Sequence, residues 1–399
     1  MGKRRRCYPG DNYGGIACPS KVKIVSKRKL NKIGIQAARL LLAFLCGILV
    51  GIQLPSLLLR AGILPPFGNP TVEIDPFLLE TDVNSLILID NEADVLFKRN
   101  ELIEFIWGKE GFPDTELPDK IEADIVDVRY KDLDNLKQIN KVTIIMAWQI
   151  NSVAYHFVPE QGNQRLVVYH QGHYGDFIFG KEAIQRFLSR GYAVIALSMP
   201  LYGLNNRPVV DLPRTGKLKI ADHDHLKFLQ MENGHPVKFF LQPVAVVLNY
   251  AQQYDYTATT MMGLSGGGWT TTLYAAIDTR ILRSYPVAGT LPIYLRPGYG
   301  LDWGDYEQTI PELYTIANYL ELYILGSYGE GRKQLQILSK YDPCCYAGIR
   351  YRTYEDVVKE RVQSLGAGHF EVYLDESNRE HKISTRALEV ILDDINSNG

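Results

Sequence analysis

Ser265 is flanked by small residues in Met261-Met262-Gly263-Leu264-Ser265-Gly266-Gly267-Gly268-Trp269, and the spacing G-x-S-x-G is met by Gly263, Ser265 and Gly267. A serine carried on a sharp turn between a strand and a helix is placed to act as a nucleophile. Such a turn demands small neighbours, because Cβ atoms at Gly263 and Gly267 would collide with the adjoining backbone. The chain holds 34 glycines, so a bare match arises easily by chance and the context has to decide. Ala258 to Met262 reads as a short buried strand. Thr270 to Asp278 carries Leu273, Ala275, Ala276 and Ile277 at spacings that suit a packed helix. The bland alternative is a glycine-rich turn that binds nothing.

A serine hydroxyl is a weak nucleophile at neutral pH. It needs a base, usually histidine, and that histidine needs a carboxylate to fix its tautomer and stabilise its cation. His381 follows the strand-like Phe370 to Leu374 by a short polar loop and precedes the last helical segment. Asp342 lies just beyond the apolar run Gln334 to Leu338. In an open parallel sheet the loops at the strand C-terminal ends share one edge, so Ser265, Asp342 and His381 can meet there although far apart in sequence. Asp375 and Asp302 are rival acids. Asp375 shares the loop of His381 and Asp302 sits in a tyrosine-rich stretch, so Asp342 is preferred.

The elements that must position these groups begin near residue 123. Ile125 to Tyr130, Val142 to Gln149 and Val153 to Val158 read as strands with turns between them, an antiparallel start to a sheet. From Arg165 onward strands alternate with helices: Leu166 to Tyr169, the helix Asp176 to Arg190, then Tyr192 to Leu197. This alternation predicts a parallel sheet with helices on both faces. Residues 203–237 are polar, proline-bearing and too irregular for a crossover, and 298–331 forms a second insertion rich in tyrosine. A helix Val237 to Tyr254, a strand Arg283 to Val287, a helix Tyr354 to Leu365 and a helix Ser384 to Ile395 complete the pattern.

The order Ser, Asp, His on a strand-turn-helix nucleophile resembles the α/β-hydrolase fold at superfamily level, over roughly the last two-thirds of the chain. The resemblance implies an α/β architecture with a mostly parallel central sheet. It implies Ser265 as nucleophile, His381 as general base and Asp342 as the orienting acid. His170-Gln171-Gly172-His173 follows the strand Leu166 to Tyr169, where these enzymes carry a loop that supplies an oxyanion donor. The backbone N–H groups of His173 and Gly266 would form the hole. The loop departs from the HGGG pattern of one lipase and esterase subgroup, which leaves the donor uncertain by one residue.

Composition bounds the rest. The chain has 399 residues, a formal net charge of −2 and an ordinary hydrophobic share of 46%, enough for a sizeable core and no indication of bulk nucleic-acid binding. Its charge is uneven: Lys3, Arg4, Arg5, Arg6, Lys21, Lys23, Lys27, Arg28, Lys29 and Lys32 crowd the first segment against the single acid Asp11. Leu40 to Leu59 follows without a charge, and about 20 apolar residues span a bilayer. The expected organisation is a basic tail (1–38), a transmembrane signal-anchor (39–60), a linker and N-terminal extension (61–122) and the hydrolase domain (123–399). The positive-inside rule puts the N-terminus in the cytoplasm and the catalytic domain outside. A cleaved signal peptide is the rival, but the tail is long and no A-x-A-like site follows.

The five cysteines form no spread framework. Cys7 and Cys18 lie in the tail, Cys46 in the apolar run, and the adjacent Cys344 and Cys345 are read as two reduced residues in a buried turn, a strained vicinal disulfide being the alternative. His223 and His225 have a metal-like spacing, yet without a third ligand nearby they read as solvated, and no metal is assigned. His170 and His173 line or support the pocket, while His156, His235 and His369 read as structural or surface groups. Tyr294, Tyr299, Trp303 and Tyr306 suit either a sugar-stacking surface or packing of their insertion onto the core. The expected activity is ester cleavage through an acyl-enzyme, with no cofactor, on a small-molecule, carbohydrate or lipid substrate. A serine peptidase and a non-catalytic binding protein on the same fold are the alternatives.

Overall fold

The computed structural model describes residue 74 and residues 76–173, 175–296 and 303–397. The chain divides into Met1–Pro65 and Pro66–Gly399, and every described residue falls in the second unit. The basic tail and the expected membrane span over 39–60 lie outside the described residues. Among the described residues, no helix is long and apolar enough to cross a membrane.

The chain lays down β1 (Lys120–Glu122), β2 (Leu136–Ile145), β3 (Asn151–Pro159), β4 (Arg165–His170), β5 (Ala193–Leu197), β6 (Val209–Leu212), β7 (Gly216–Lys219), β8 (Ala258–Leu264), β9 (Ile281–Val287), β10 (Lys333–Ser339) and β11 (His369–Asp375). Nine of these form one sheet in the order β1-β2-β3-β5-β4-β8-β9-β10-β11. The β1-β2, β2-β3 and β3-β5 pairs are antiparallel, and every pair from β5-β4 to β10-β11 is parallel. The central strands are buried on both faces, so they read as nearly continuous apolar runs such as Ala193 to Leu197.

Seven helices matter to the site: α1 (Glu92–Trp107), α2 (Lys181–Leu188), α3 (Lys238–Ala251), α4 (Gly266–Ile277), α5 (Tyr319–Ser327), α6 (Glu355–Ser364) and α7 (Thr385–Asn396). Alternation along each strand splits the core in two. Val167 and Tyr169 of β4 pack with Ile184 of α2 and Leu388 of α7, while Leu166 and Val168 pack with residues of α1, α3, α4, α5 and α6. The result is a three-layer α/β/α arrangement.

Several sequence expectations need correction. Ile125 to Tyr130 is not a strand: Val128–Tyr130 is a 3-10 turn held by the Asp127 side chain, and the edge strand is the short polar β1 upstream. The helix expected from Asp176 starts as the 3-10 turn Phe177–Gly180 and becomes α2 only at Lys181. The excursion 203–237 contains the hairpin β6-β7 and a 3-10 turn, His223–Phe228. The segment read as an insertion at 298–331 carries α5, every residue of which is buried, so its second half is the crossover helix between β9 and β10. An all-round buried helix lacks the polar face by which periodicity is recognised.

Candidate active site

Ser265 connects β8 to α4 with φ 55° and ψ −122°, a region that non-glycine residues seldom enter. Its backbone N–H donates to the Val287 carbonyl at 2.8 Å, and its own carbonyl accepts from Trp269 N at 2.9 Å. The glycines around it leave no room for side chains. A Cβ at Gly263 would lie 2.2 Å from the Gly267 carbonyl oxygen, and one at Gly267 would lie 2.1 Å from that of His170. The first turn of α4 is bound to its second by hydroxyls: Thr270, Thr271 and Thr272 donate to the carbonyls of Gly266, Gly267 and Gly268 at 3.1, 2.8 and 3.1 Å. The serine thus stands on a rigid base at the C-terminal edge of the sheet.

Asp342 and His381 meet from the loops after β10 and β11. Nδ1 of His381 lies 2.8 Å from Oδ2 and 3.0 Å from Oδ1 of Asp342. The Asp342 side chain is fully buried, and its Oδ1 also accepts from the backbone N–H groups of Cys344 and Cys345 at 2.8 and 3.0 Å. A carboxylate can only accept, so Nδ1 of His381 carries the hydrogen and Nε2 keeps its lone pair. The sequence reading of Cys344 and Cys345 as reduced residues is corrected, for the two are joined by a disulfide within the turn that holds Asp342.

The rival acids are differently placed. Asp375 is buried and accepts from Ser377 N at 2.8 Å, Ser377 Oγ at 2.6 Å and Ser384 Oγ, so it ties the β11 loop to the start of α7. Asp302 lies outside the described residues.

Ser265 and His381 line one cavity of about 390 Å³, together with Gly172, His173, Phe179, Glu182, Leu264, Lys382, Ile383 and Leu388. Gly172 touches the serine: a Cβ built there would stand 2.8 Å from both the Ser265 Cβ and the Leu264 carbonyl oxygen. The His173 ring covers Gly266, where a Cβ would lie 2.4 Å from Cε1 and 2.6 Å from Nδ1 of His173. The loop after β4 and the N-terminus of α4 therefore close together over the serine. As the first residue of α4, Gly266 has an N–H with no intrahelical acceptor.

Comparison with solved structures gives the fold a relative. A methylesterase structure is 14% identical with a TM-score of 0.50, covering 79% of this chain and 66% of that one. An acetyl xylan esterase from Paenibacillus sp. R4 is 15% identical with a TM-score of 0.49, covering 79% and 98%, and an esterase from Pyrococcus furiosus is 15% identical with a TM-score of 0.44, covering 71% and 96%. The chain has the α/β-hydrolase fold. No family model matches the sequence, and no curated protein matches it either. At such identities the likeness is one of fold alone.

On this hydrolase fold the structure assembles a group that sequence reasoning missed. Glu307, fully buried, has Oε1 2.6 Å from His173 Nε2, and its carboxylate lies 3.2 Å from His223 Nδ1. Asp305 Oδ2 lies 3.0 Å from the same nitrogen of His173. Burial opposes a charge on Glu307, but the two histidines hold its carboxyl well below the usual carboxylate range. His223 is buried, against the solvated reading of its loop, and its Nε2 lies 3.0 Å from the Pro200 carbonyl. No local spacing announces this cluster, because its members come from three loops joined only by the fold. His170 is also buried and is pushed down to about 4 by that burial.

Proposed function

We propose that the chain is a serine hydrolase that cleaves an ester through an acyl-enzyme, with Ser265 as nucleophile, His381 as general base and Asp342 as its orienting acid. The observation that carries this reading is the Asp342–His381 contact in a cavity shared with the strained Ser265. Ser265 Oγ attacks the ester carbonyl carbon as His381 Nε2 takes the hydroxyl proton. The tetrahedral intermediate then expels the alcohol, which leaves with that proton. Water, deprotonated by the same nitrogen, attacks the acyl carbon, and Ser265 departs with the proton. Asp342 stays ionised and holds the imidazolium. Backbone N–H groups of Gly266 and His173 receive the oxyanion, and one such donor is worth about 10²–10³ in rate.

The cavity supports a small substrate. A volume of about 390 Å³ is at the small end for ligand pockets, and its walls combine Phe179, Leu264, Ile383 and Leu388 with Glu182 and Lys382. That suits a short acyl group on a small or carbohydrate alcohol better than a long lipid chain. The methylesterase of like fold is consistent with ester chemistry. The uncharged run Leu40 to Leu59 behind its basic tail supports a membrane anchor with the catalytic unit outside the cytoplasm.

A fluorophosphonate probe applied to the full chain tests the reading. Labelling of wild type that disappears in both Ser265→Ala and His381→Ala, each still folded, is the expected result. Absence of labelling in folded wild type would reject an activated serine.

A further inference from the structure

We infer that His173, His223, Glu307 and Asp305 form a divalent-metal site of the zinc type, built from two imidazoles and two carboxylates beside the nucleophile. The inference goes beyond the hydrolase reading and does not depend on it.

The geometry is that of a converging ligand set. His173 Nε2, His223 Nδ1 and a Glu307 oxygen all lie within 4.8 Å of one another. Asp305 lies outside that converging trio, but its Oδ2 stands 3.0 Å from His173 Nε2 and would join as a fourth ligand. Zinc takes nitrogen and oxygen ligands at about 2.0–2.2 Å, which sets tetrahedral ligand atoms roughly 3.4 Å apart. The His173–Asp305 and His223–Glu307 separations of 3.0 and 3.2 Å are close to that value. The 2.6 Å His173–Glu307 contact would open by about 0.8 Å on that geometry.

Two further observations point to a cation. Nε2 of His223 faces the Pro200 carbonyl at 3.0 Å, so it carries the hydrogen. A ligating histidine is typically held in this way, with its other nitrogen free to bind metal. In addition, Glu307 is fully buried with its two oxygens set against the two imidazoles, Oε1 at 2.6 Å from His173 Nε2 and Oε2 at 3.2 Å from His223 Nδ1. A divalent ion between them would balance the charges of Glu307 and Asp305.

The site also has a route to solvent. A small cavity of about 210 Å³ is lined by Asp222, His223, Asp224 and Asp305, an acidic mouth that concentrates cations. Metal there would join three loops: the one after β4, which carries His173 over Gly266; the 3-10 turn His223–Phe228; and the segment holding Asp305 and Glu307. Its role would be to fix the wall of the nucleophile's cavity rather than to touch substrate.

The test uses the full chain, stripped with a chelator and dialysed against Zn²⁺, with bound zinc measured by atomic emission and affinity by calorimetry. The expected result is one zinc per chain. Asp305→Asn, a change at a half-exposed side chain that the fold should tolerate, is expected to weaken binding about 10-fold or more, and His223→Gln to abolish it. Nitrogen chemical shifts of the two imidazoles would move on zinc addition in wild type. Wild type that takes up no zinc while both rings titrate as imidazolium would overturn the site in favour of a proton-held network. Zinc uptake unchanged in both variants would overturn it equally, since the ion would then sit elsewhere.

Discussion

Gly172 and Ser265 are in direct backbone apposition: a Cβ on Gly172 would stand 2.8 Å from that of the serine, closer than such atoms approach in proteins. Either the loop after β4 or the turn carrying Ser265 must shift to admit even a methyl group. On the proposed mechanism both flank the path of the attacking oxygen, and a misplacement of about 1 Å can cost about 10²-fold in rate. Gly172→Ala is expected to lower kcat/KM on an activated ester by at least about 10-fold while the chain stays folded. Steady-state kinetics with circular dichroism would check this, and unchanged kcat/KM in a folded variant would remove the loop from the catalytic wall.

Asp342→Asn makes a sharper test because the hydrogen bonds dictate which way the amide must point. Oδ1 accepts from Cys344 N and Cys345 N, so the asparagine oxygen takes that place and its NH₂ faces His381 Nδ1. Nδ1 then has to accept, and the hydrogen moves to Nε2, where it blocks proton uptake from Ser265. The same change in the serine protease triad lowers kcat by about 10⁴-fold. The expected loss here is about 10³–10⁴-fold in kcat with little change in KM, measured on one activated ester. A loss below tenfold would show that Asp342 does not set the tautomer of His381.

How far the sequence discloses this molecule depends on the range of the signal. β4, β5 and β8 are legible because burial on both faces writes each as a largely apolar run, β9 to β11 by their place in the strand–helix alternation, and Ser265, Asp342 and His381 are then placed by the rule that strand C-terminal ends share an edge. Short polar edge structure leaves no such trace, as β1 and the β6-β7 hairpin show. Helix α5 escaped for the opposite reason, being buried all round. The His173–Glu307–His223 cluster is illegible in principle: its contacts span 84 and 134 residues, and nothing near Glu307 differs from ordinary loop sequence.

Arg332 tests the packing behind the site. Its guanidinium is buried and donates to the carbonyls of Ile281, Leu325, Tyr328 and Ala275 at 3.0, 3.1, 2.8 and 2.5 Å, tying the C-terminal ends of α4 and α5 to β9. Burial lowers its pKa to about 10, so it still holds its proton at neutral pH. Arg332→Met would remove four hydrogen bonds to these carbonyls, leaving Leu325 the 3.3 Å contact from Arg99, at a cost of about 3 kcal/mol or more. A urea unfolding curve should show that loss, with Arg332→Lys recovering part of it through three rotatable donors. Equal stability of the Met variant and wild type would mean that water replaces the guanidinium.

His156 predicts how the fold responds to acid. Its ring is fully buried between Tyr250 and Tyr256, whose hydroxyls lie 3.2 and 2.8 Å from Nδ1 and Nε2, and burial lowers its pKa from 6.5 to about 3. Below pH 6.5 the unfolded chain takes up a proton that the folded chain refuses until about pH 3. Stability therefore rises with pH across that window and falls as pH drops through it, by about 1.4 kcal/mol per pH unit once the unfolded histidine is protonated. His170 adds the same slope down to about pH 4. His156→Gln is expected to remove about 2 kcal/mol of the stability difference between pH 7 and pH 5, whatever its effect at pH 7. Urea midpoints at the two pH values measure that difference directly. An equal acid-induced loss in variant and wild type would show that the imidazole is already charged in the fold.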